Sequence, residues 1–229
     1  MMIDHQHSWN ISVKEASQIQ NQLRNQVELE NALEISSIQT IAAADVSFSR
    51  NSTTLFAAIV LYSFPDLRLL NVYKAVSEIH FPYIPGYLSF REIPVLLKAF
   101  EQLPDDVDLI LCDGQGIAHP RRFGLASHVG VLLDKPAIGC AKSLFIGTYE
   151  EPKASAGSYS TLHHNNEDIG VVLRTRDNVK PVYVSPGHKT TIQQAREIIS
   201  ACVKKYRIPI PLRSAHIEVN RYRKEVEEG

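Results

Sequence analysis

Two of the most apolar runs in the chain each carry an aspartate, and this restricts the fold more than any other feature. Thr40–Phe48 reads as a strand in which Asp45 sits among alanine, valine and phenylalanine, and Val107–Asp113 reads as a buried strand ending in its aspartate. A carboxylate in such surroundings is costly unless it is paired or bound to a cation. If the two strands are neighbours, both acids face one spot, and hard divalent cations such as Mg²⁺ choose oxygen ligands of that kind. The plainer alternatives are that Asp113 only opens a turn and that Asp45 pairs with a buried lysine.

The rest of the chain supplies elements around these strands. Ser12 to about Leu33 has the spacing of an amphipathic helix, with Val13, Ala16, Ile19, Leu23 and Val27 on one stripe. Thr40–Phe48, Leu55–Tyr62 and Leu67–Val76, separated by the polar turns Ser49–Thr54 and Ser63–Asp66, predict an antiparallel meander. A proline-flanked loop, Phe81–Gly86, leads into a helix that Pro104 stops. Ser89 with Glu92 three residues on fits a capping box, but Pro94 pushes the expected start past Ser89. After Asp113, Gly114-Gln115-Gly116 is expected to make a flexible turn, followed by a helix over Phe123–Leu133 and a strand over Ala137–Ala141. Glu150–Asn166 is small and polar and reads as a loop insertion. Ile169–Arg174 and Pro181–Val184 read as a hairpin around Asp177-Asn178. Thr191 and Gln194 form a capping box for a helix reaching Tyr206, and a last helix from about Arg213 is expected to fray into the charged tail. This alternation predicts an α/β fold, a mixed sheet covered by helices, with residues 1–229 as one domain.

Composition narrows the class. Three separated cysteines without C-x-x-C spacing argue against a disulfide framework and against zinc. No apolar h-region opens the chain and no run reaches membrane-span length, so a soluble cytoplasmic protein without membrane contact is expected. Net charge is -1, but residues 1–115 hold 7 Lys/Arg against 14 Asp/Glu and residues 116–229 hold 17 against 11, giving -7 and +6. An acidic region able to hold cations thus precedes a basic region able to hold phosphates.

Further side chains fit phosphate chemistry. His119-Pro120-Arg121-Arg122 follows the Asp113 turn, offering guanidinium groups shaped for phosphate and an imidazole able to shuttle protons. Lys142 closes the Ala137–Ala141 strand, where a cation would neutralise developing charge. His188 precedes the Thr191 helix, and helix N-termini attract phosphates. Tyr83, held between Pro82 and Pro85, could stack on bases or wedge them apart. Each has a structural alternative, a solvated turn, a plain salt bridge or a buried tyrosine, but together they suit hydrolysis of a phosphodiester by metal ions.

Between about Ile41 and Ile217 the sequence resembles the endonuclease V family of inosine-specific repair nucleases. The segments that carry the resemblance are Pro82–Glu92 (PYIPGYLSFRE), Asp113–Gly130 (DGQGIAHPRRFGLASHVG), Ile138–Lys142 and Val184–His188. The resemblance implies a ribonuclease H-like fold with a mixed five-stranded sheet flanked by helices. It implies Mg²⁺, or Mn²⁺, held by Asp45, Asp113 and Glu92. His119 and Lys142 match residues near the scissile phosphate, and His216 matches a histidine of the late helix near the metal. Tyr83 belongs to the implied strand-separating wedge, and backbone near Gly86 and Gly114 to the pocket for a flipped hypoxanthine. The implied reaction, by a monomer acting on single- or double-stranded DNA, cuts the second phosphodiester bond 3′ to deoxyinosine, leaving 3′-hydroxyl and 5′-phosphate ends. Ala43, Tyr87 and Leu144 depart from the glycine, leucine and arginine usual in the family at those places. Three alternatives stand beside this expectation: cleavage of inosine-containing RNA, lesion binding without cleavage, and a small-molecule phosphatase on a similar acidic site.

Overall fold

The structure, a computed structural model, describes residues 7–30, 33–49, 52–104 and 107–228. Among these, five α-helices and eight strands follow one another as α1 Val13–Leu23, β1 Thr40–Ser47, β2 Thr54–Ser63, β3 Leu69–Glu78, α2 Leu88–Phe100, β4 Leu109–Cys112, α3 Leu125–Leu133, β5 Ala137–Ala141, β6 Tyr159–His164, β7 Glu167–Leu173, β8 Val182–His188, α4 Ile192–Ala201 and α5 Ile210–Glu228. Residues 31–32 of the first expected helix, residues 50–51 of the first expected turn and most of the Met1–Asn10 stretch lie outside the described residues.

All the strands join one mixed sheet in the order β3-β2-β1-β4-β5-β8-β7-β6. β1, β2 and β3 form the expected antiparallel meander. β4 runs parallel to β1 and β5 parallel to β4. These five make up the ribonuclease H-like sheet. The sheet then continues through β8, β7 and β6, all antiparallel, so it holds eight strands rather than five. No helix of the described residues is long and apolar enough to cross a membrane.

Side-chain alternation along the central strands builds two separate cores. Ala42 and Ala44 of β1, with Ile110 and Cys112 of β4, pack under α2 and α3. Ile41 and Ala43, with Leu109 and Leu111, pack under α4 and α5. The same period of two carries Asp45 and Asp113, the next odd-numbered positions, toward the α4–α5 side. The register aligns Ala44 with Cys112, so the two acids follow side by side.

Several local expectations are corrected. α1 ends at Leu23, after which the chain is recruited elsewhere: the Glu28 amide donates to His188 Nδ1 at 3.2 Å and the Glu28 carbonyl accepts from the Lys189 amide at 2.7 Å. Val13 is exposed, and the buried stripe is Ala16, Gln20 and Leu23. α2 begins at Leu88, before Ser89 rather than after it, with Tyr87 as its cap and Pro94 inside. Ser89 caps nothing, because its hydroxyl bonds His128. Gly116 is required by close approach, since a Cβ there would stand 2.0 Å from the Pro186 carbonyl oxygen. Polar Glu150–Asn166 contains β6; an edge strand tolerates polar side chains, and of its residues only Leu162 is fully buried. The last helix starts at Ile210 and stays helical through Glu228.

Candidate active site

At the C-terminal ends of β1 and β4, Asp45, Asp113 and His216 offer ligand atoms that all lie within 4.8 Å of one another. His216 stands on α5, whose early turns cross β1, and its Nδ1–H donates to Asp45 Oδ2 at 2.8 Å. Lys142, just beyond β5, pairs with Asp113 Oδ2. Glu92 reaches the same region from α2 and lies outside the tight group, because α2 packs on the opposite face of the sheet.

The electrostatics are those of crowded acids. Burial, then the charge of Asp113, pushes the Asp45 carboxyl up to about 6, against the pull of His216 and Lys142. Burial, then the charges of Asp45 and Asp113, pushes Glu92 up to about 8. Burial works against the Lys142 ammonium, but its pairing with Asp113 outweighs that and raises its pKa. Three carboxyl groups thus compete in one place with little positive charge to satisfy them. Hard oxygen donors with an adjacent imidazole suit Mg²⁺ or Mn²⁺, and the crowding is what a divalent cation relieves.

Beside this cluster lies a cavity of about 340 Å³. Asp113 and Lys142 belong to its wall as well as to the cluster, along with Gly86, Gly114 and His119. Tyr83, 64% exposed, stands at its edge on the loop with Pro82 and Pro85. Gly86 has φ +84, a left-handed conformation that turns the loop into the rim. The Gly86 carbonyl accepts from Gln20 Nε2 at 3.0 Å, His119 Nε2 at 3.0 Å and Arg121 Nη2 at 2.8 Å.

That carbonyl reassigns two residues of the His-Pro-Arg-Arg motif. His119 Nδ1 accepts from the Arg121 amide, so Nε2 carries the proton given to Gly86. Burial, then Arg121, lowers its pKa to about 4, leaving a neutral, fully bonded ring rather than a proton shuttle. Arg121 is anchored too, with Gln20 Oε1 and Gly86 as acceptors and the Tyr87 ring 4.2 Å from its guanidinium. Arg122 turns away and pairs with Glu167 while bonding the His164 carbonyl at 3.0 Å. His188 is 2% exposed, spent on the Glu28 amide and facing Asp134 at 3.6 Å, so it lines neither cluster nor cavity.

Sequence reasoning missed Gln20, Gln115 and Ser143–Phe145 in the cavity wall. A readable signal existed only for Leu144 and Phe145, two apolar residues in the exposed segment directly after Lys142. Gln20 looked like one more polar residue of a surface helix.

A statistical model of the endonuclease V family matches residues 21–217. The curated endonuclease V of Dehalococcoides mccartyi is 49% identical over 211 residues, covering 92% of this chain and 94% of that protein. The crystal structure of endonuclease V from Streptomyces avermitilis superposes with a TM-score of 0.91 at 40% identity, covering 96% of each chain. Endonuclease V of Ciona intestinalis, solved in complex with a 24mer DNA containing an inosine followed by a ribo-adenosine, superposes with a TM-score of 0.83 at 26% identity, covering 93% of this chain and 98% of that one. With the family pattern running through both acid-bearing strands and every cavity-wall residue but Gln20, this chain belongs to the endonuclease V family.

Proposed function

We propose that this protein is an Mg²⁺-dependent endodeoxyribonuclease, with Mn²⁺ as a substitute, that recognises deoxyinosine in single- or double-stranded DNA and hydrolyses the second phosphodiester bond 3′ to it. The observation that carries this reading is the shared wall: Asp113 and Lys142 border both the acidic cluster and the cavity. A base flipped into the cavity brings its own backbone up to the acids. Flipping costs a few kcal/mol of unstacking, least at a mispair, which favours deaminated bases. The Ciona complex with inosine-containing DNA supports the same substrate class.

Asp45, Asp113 and Glu92 would hold the metal, which when bound supplies a water acidified for attack and charge stabilisation at the phosphorus. The protein's own groups do the rest. His216 fixes the Asp45 carboxylate by its hydrogen bond. Lys142, shared between Asp113 and the cavity, lies where it can offset charge on the scissile phosphate. Tyr83, stiffened by Pro82 and Pro85, fills the gap a flipped base leaves. Gly86 and Gly114 let backbone approach the base closely. His119 and Arg121 hold that rim in shape.

Cleavage of inosine-containing RNA is the second reading, favoured by the ribo-adenosine that follows the inosine in the DNA bound to the Ciona protein. The test is a labelled duplex with one deoxyinosine, incubated with Mg²⁺ or EDTA beside an inosine-containing RNA. A single Mg²⁺-dependent nick one nucleotide beyond the lesion is the expected result, and the faster substrate separates DNA from RNA. Binding without any nick would replace the nuclease with a lesion-binding module.

A further inference from the structure

A chain of hydrogen bonds, separate from the acidic cluster, runs from the N-terminal segment to the cavity. His7 Nδ1 lies 2.8 Å from the Ser8 carbonyl, which can only accept, so Nδ1 carries the proton. A neutral His7 then has a lone pair at Nε2, which stands 2.9 Å from His128 Nε2. His128 must donate there, which leaves a lone pair on its Nδ1, 3.0 Å from Ser89 Oγ. The Ser89 hydroxyl therefore gives its proton to His128. Burial lowers the pKa of each ring and so favours the neutral form that this proton pattern requires. Trp9, Phe90 and Phe123 enclose His128, with ring centroids at 5.6, 5.1 and 4.9 Å.

Ser89 is part of the cavity wall. With its proton committed to His128, its oxygen has only lone pairs left to offer. We propose that Ser89 is a specificity-determining residue, an obligate acceptor set by His7 through His128, that takes the N1–H of hypoxanthine and repels the N1 lone pair of adenine. This rests on the reading that the cavity receives the flipped base. His7 and His128 are positioning residues, since they act through the Ser89 hydroxyl. Without His7, His128 is free to adopt the other tautomer. The Ser89 hydroxyl could then point its proton into the cavity, toward adenine N1.

The experiment measures affinity for matched oligonucleotides carrying deoxyinosine or deoxyadenosine in EDTA, and nicking with Mg²⁺ in parallel. Ser89→Ala and His7→Leu are each expected to lower the affinity ratio by about tenfold, the scale of one buried hydrogen bond. His7→Gln, which keeps an acceptor oxygen, is expected to retain it. ¹⁵N spectra of the wild-type imidazoles are expected to show His7 protonated at Nδ1 and His128 at Nε2. The reverse His128 tautomer overturns the proposal even if a variant misfolds. Wild-type nicking at deoxyinosine with an unchanged ratio in Ser89→Ala and His7→Leu overturns the Ser89 assignment alone. A wild type with neither preference nor nicking overturns the cavity reading and this proposal together.

Discussion

The cavity rim and the acidic cluster adjoin, yet their polar groups are settled in opposite ways. At the rim, the Gly86 carbonyl takes three side-chain donors, both ring nitrogens of His119 are bonded within the protein, and Arg121 is held by Gln20 and Gly86. In the cluster, Asp45 and Glu92 are pushed up to about 6 and about 8 by burial and by neighbouring acids. Saturated hydrogen bonding makes a rigid mould; unrelieved like charge makes a site that gains from a cation and its substrate. The contrast teaches that a histidine or arginine near an active site is not thereby a reactive group. Whether its hydrogen-bonding capacity is already used decides the matter.

The largest effect that would break this comparison lies in the cluster. Asp113→Ala should lower Mg²⁺-dependent nicking by on the order of 10³-fold or more, while binding of deoxyinosine DNA in EDTA persists. In the same variant the rise in Tm that Mg²⁺ gives the wild type should vanish, and a surviving rise would move the metal elsewhere.

Acid should unsettle the saturated side. His119 and His128 have pKa values below the ordinary histidine range, about 4 for His119, so the folded protein resists protons that the unfolded chain accepts. Their stabilisation is fully present above about pH 6.5 and falls below it, by about 1.4 kcal/mol per pH unit for each histidine. Glu92 and Asp45, raised to about 8 and about 6, act in the opposite sense over the same window. The reading is therefore the difference in urea stability between wild type and His119→Asn from pH 7.5 to 5, and a difference that does not shrink as pH falls would contradict the neutral His119 ring.

Arg121→Ala strands the buried oxygen of Gln20, which is 1% exposed, and should cost about 1–3 kcal/mol of stability. An unchanged Tm would show that the rim does not need its third donor. The smallest effect concerns the edge of the cavity. Tyr83→Ala should leave the fold intact and reduce the preference for deoxyinosine over deoxyadenosine by about tenfold, the scale of one stacking contact. Equal preference in variant and wild type would remove the wedge.

Much of the fold was legible because apolar runs and turn residues are local signals. The meander, β5, α3 and the Thr191 capping box stand where the sequence put them, within a residue or two at most ends. Errors arose where a partner distant in sequence claimed the backbone or side chain. Beyond α1 and a short 3-10 turn over Arg24–Gln26, the Glu28 backbone is taken by His188 and Lys189 where the sequence suggested more helix, and Ser89 leaves its capping role to bond His128. β6 was hidden by polar residues that an edge strand accepts.

The sequence by itself determined which side chains carry charge in apolar surroundings, and that sufficed to single out Asp45 and Asp113 and to favour a cation between them. Period-two alternation, also local, placed both acids on one face once β1 and β4 were neighbours. Only the tertiary structure decided which polar groups are already satisfied. It committed His119 and Arg121 to Gly86, turned Arg122 toward Glu167, and buried His188 behind Glu28. Composition lists donors and acceptors, but pairing depends on distance and angle between residues far apart in the chain, and those exist only in the folded protein.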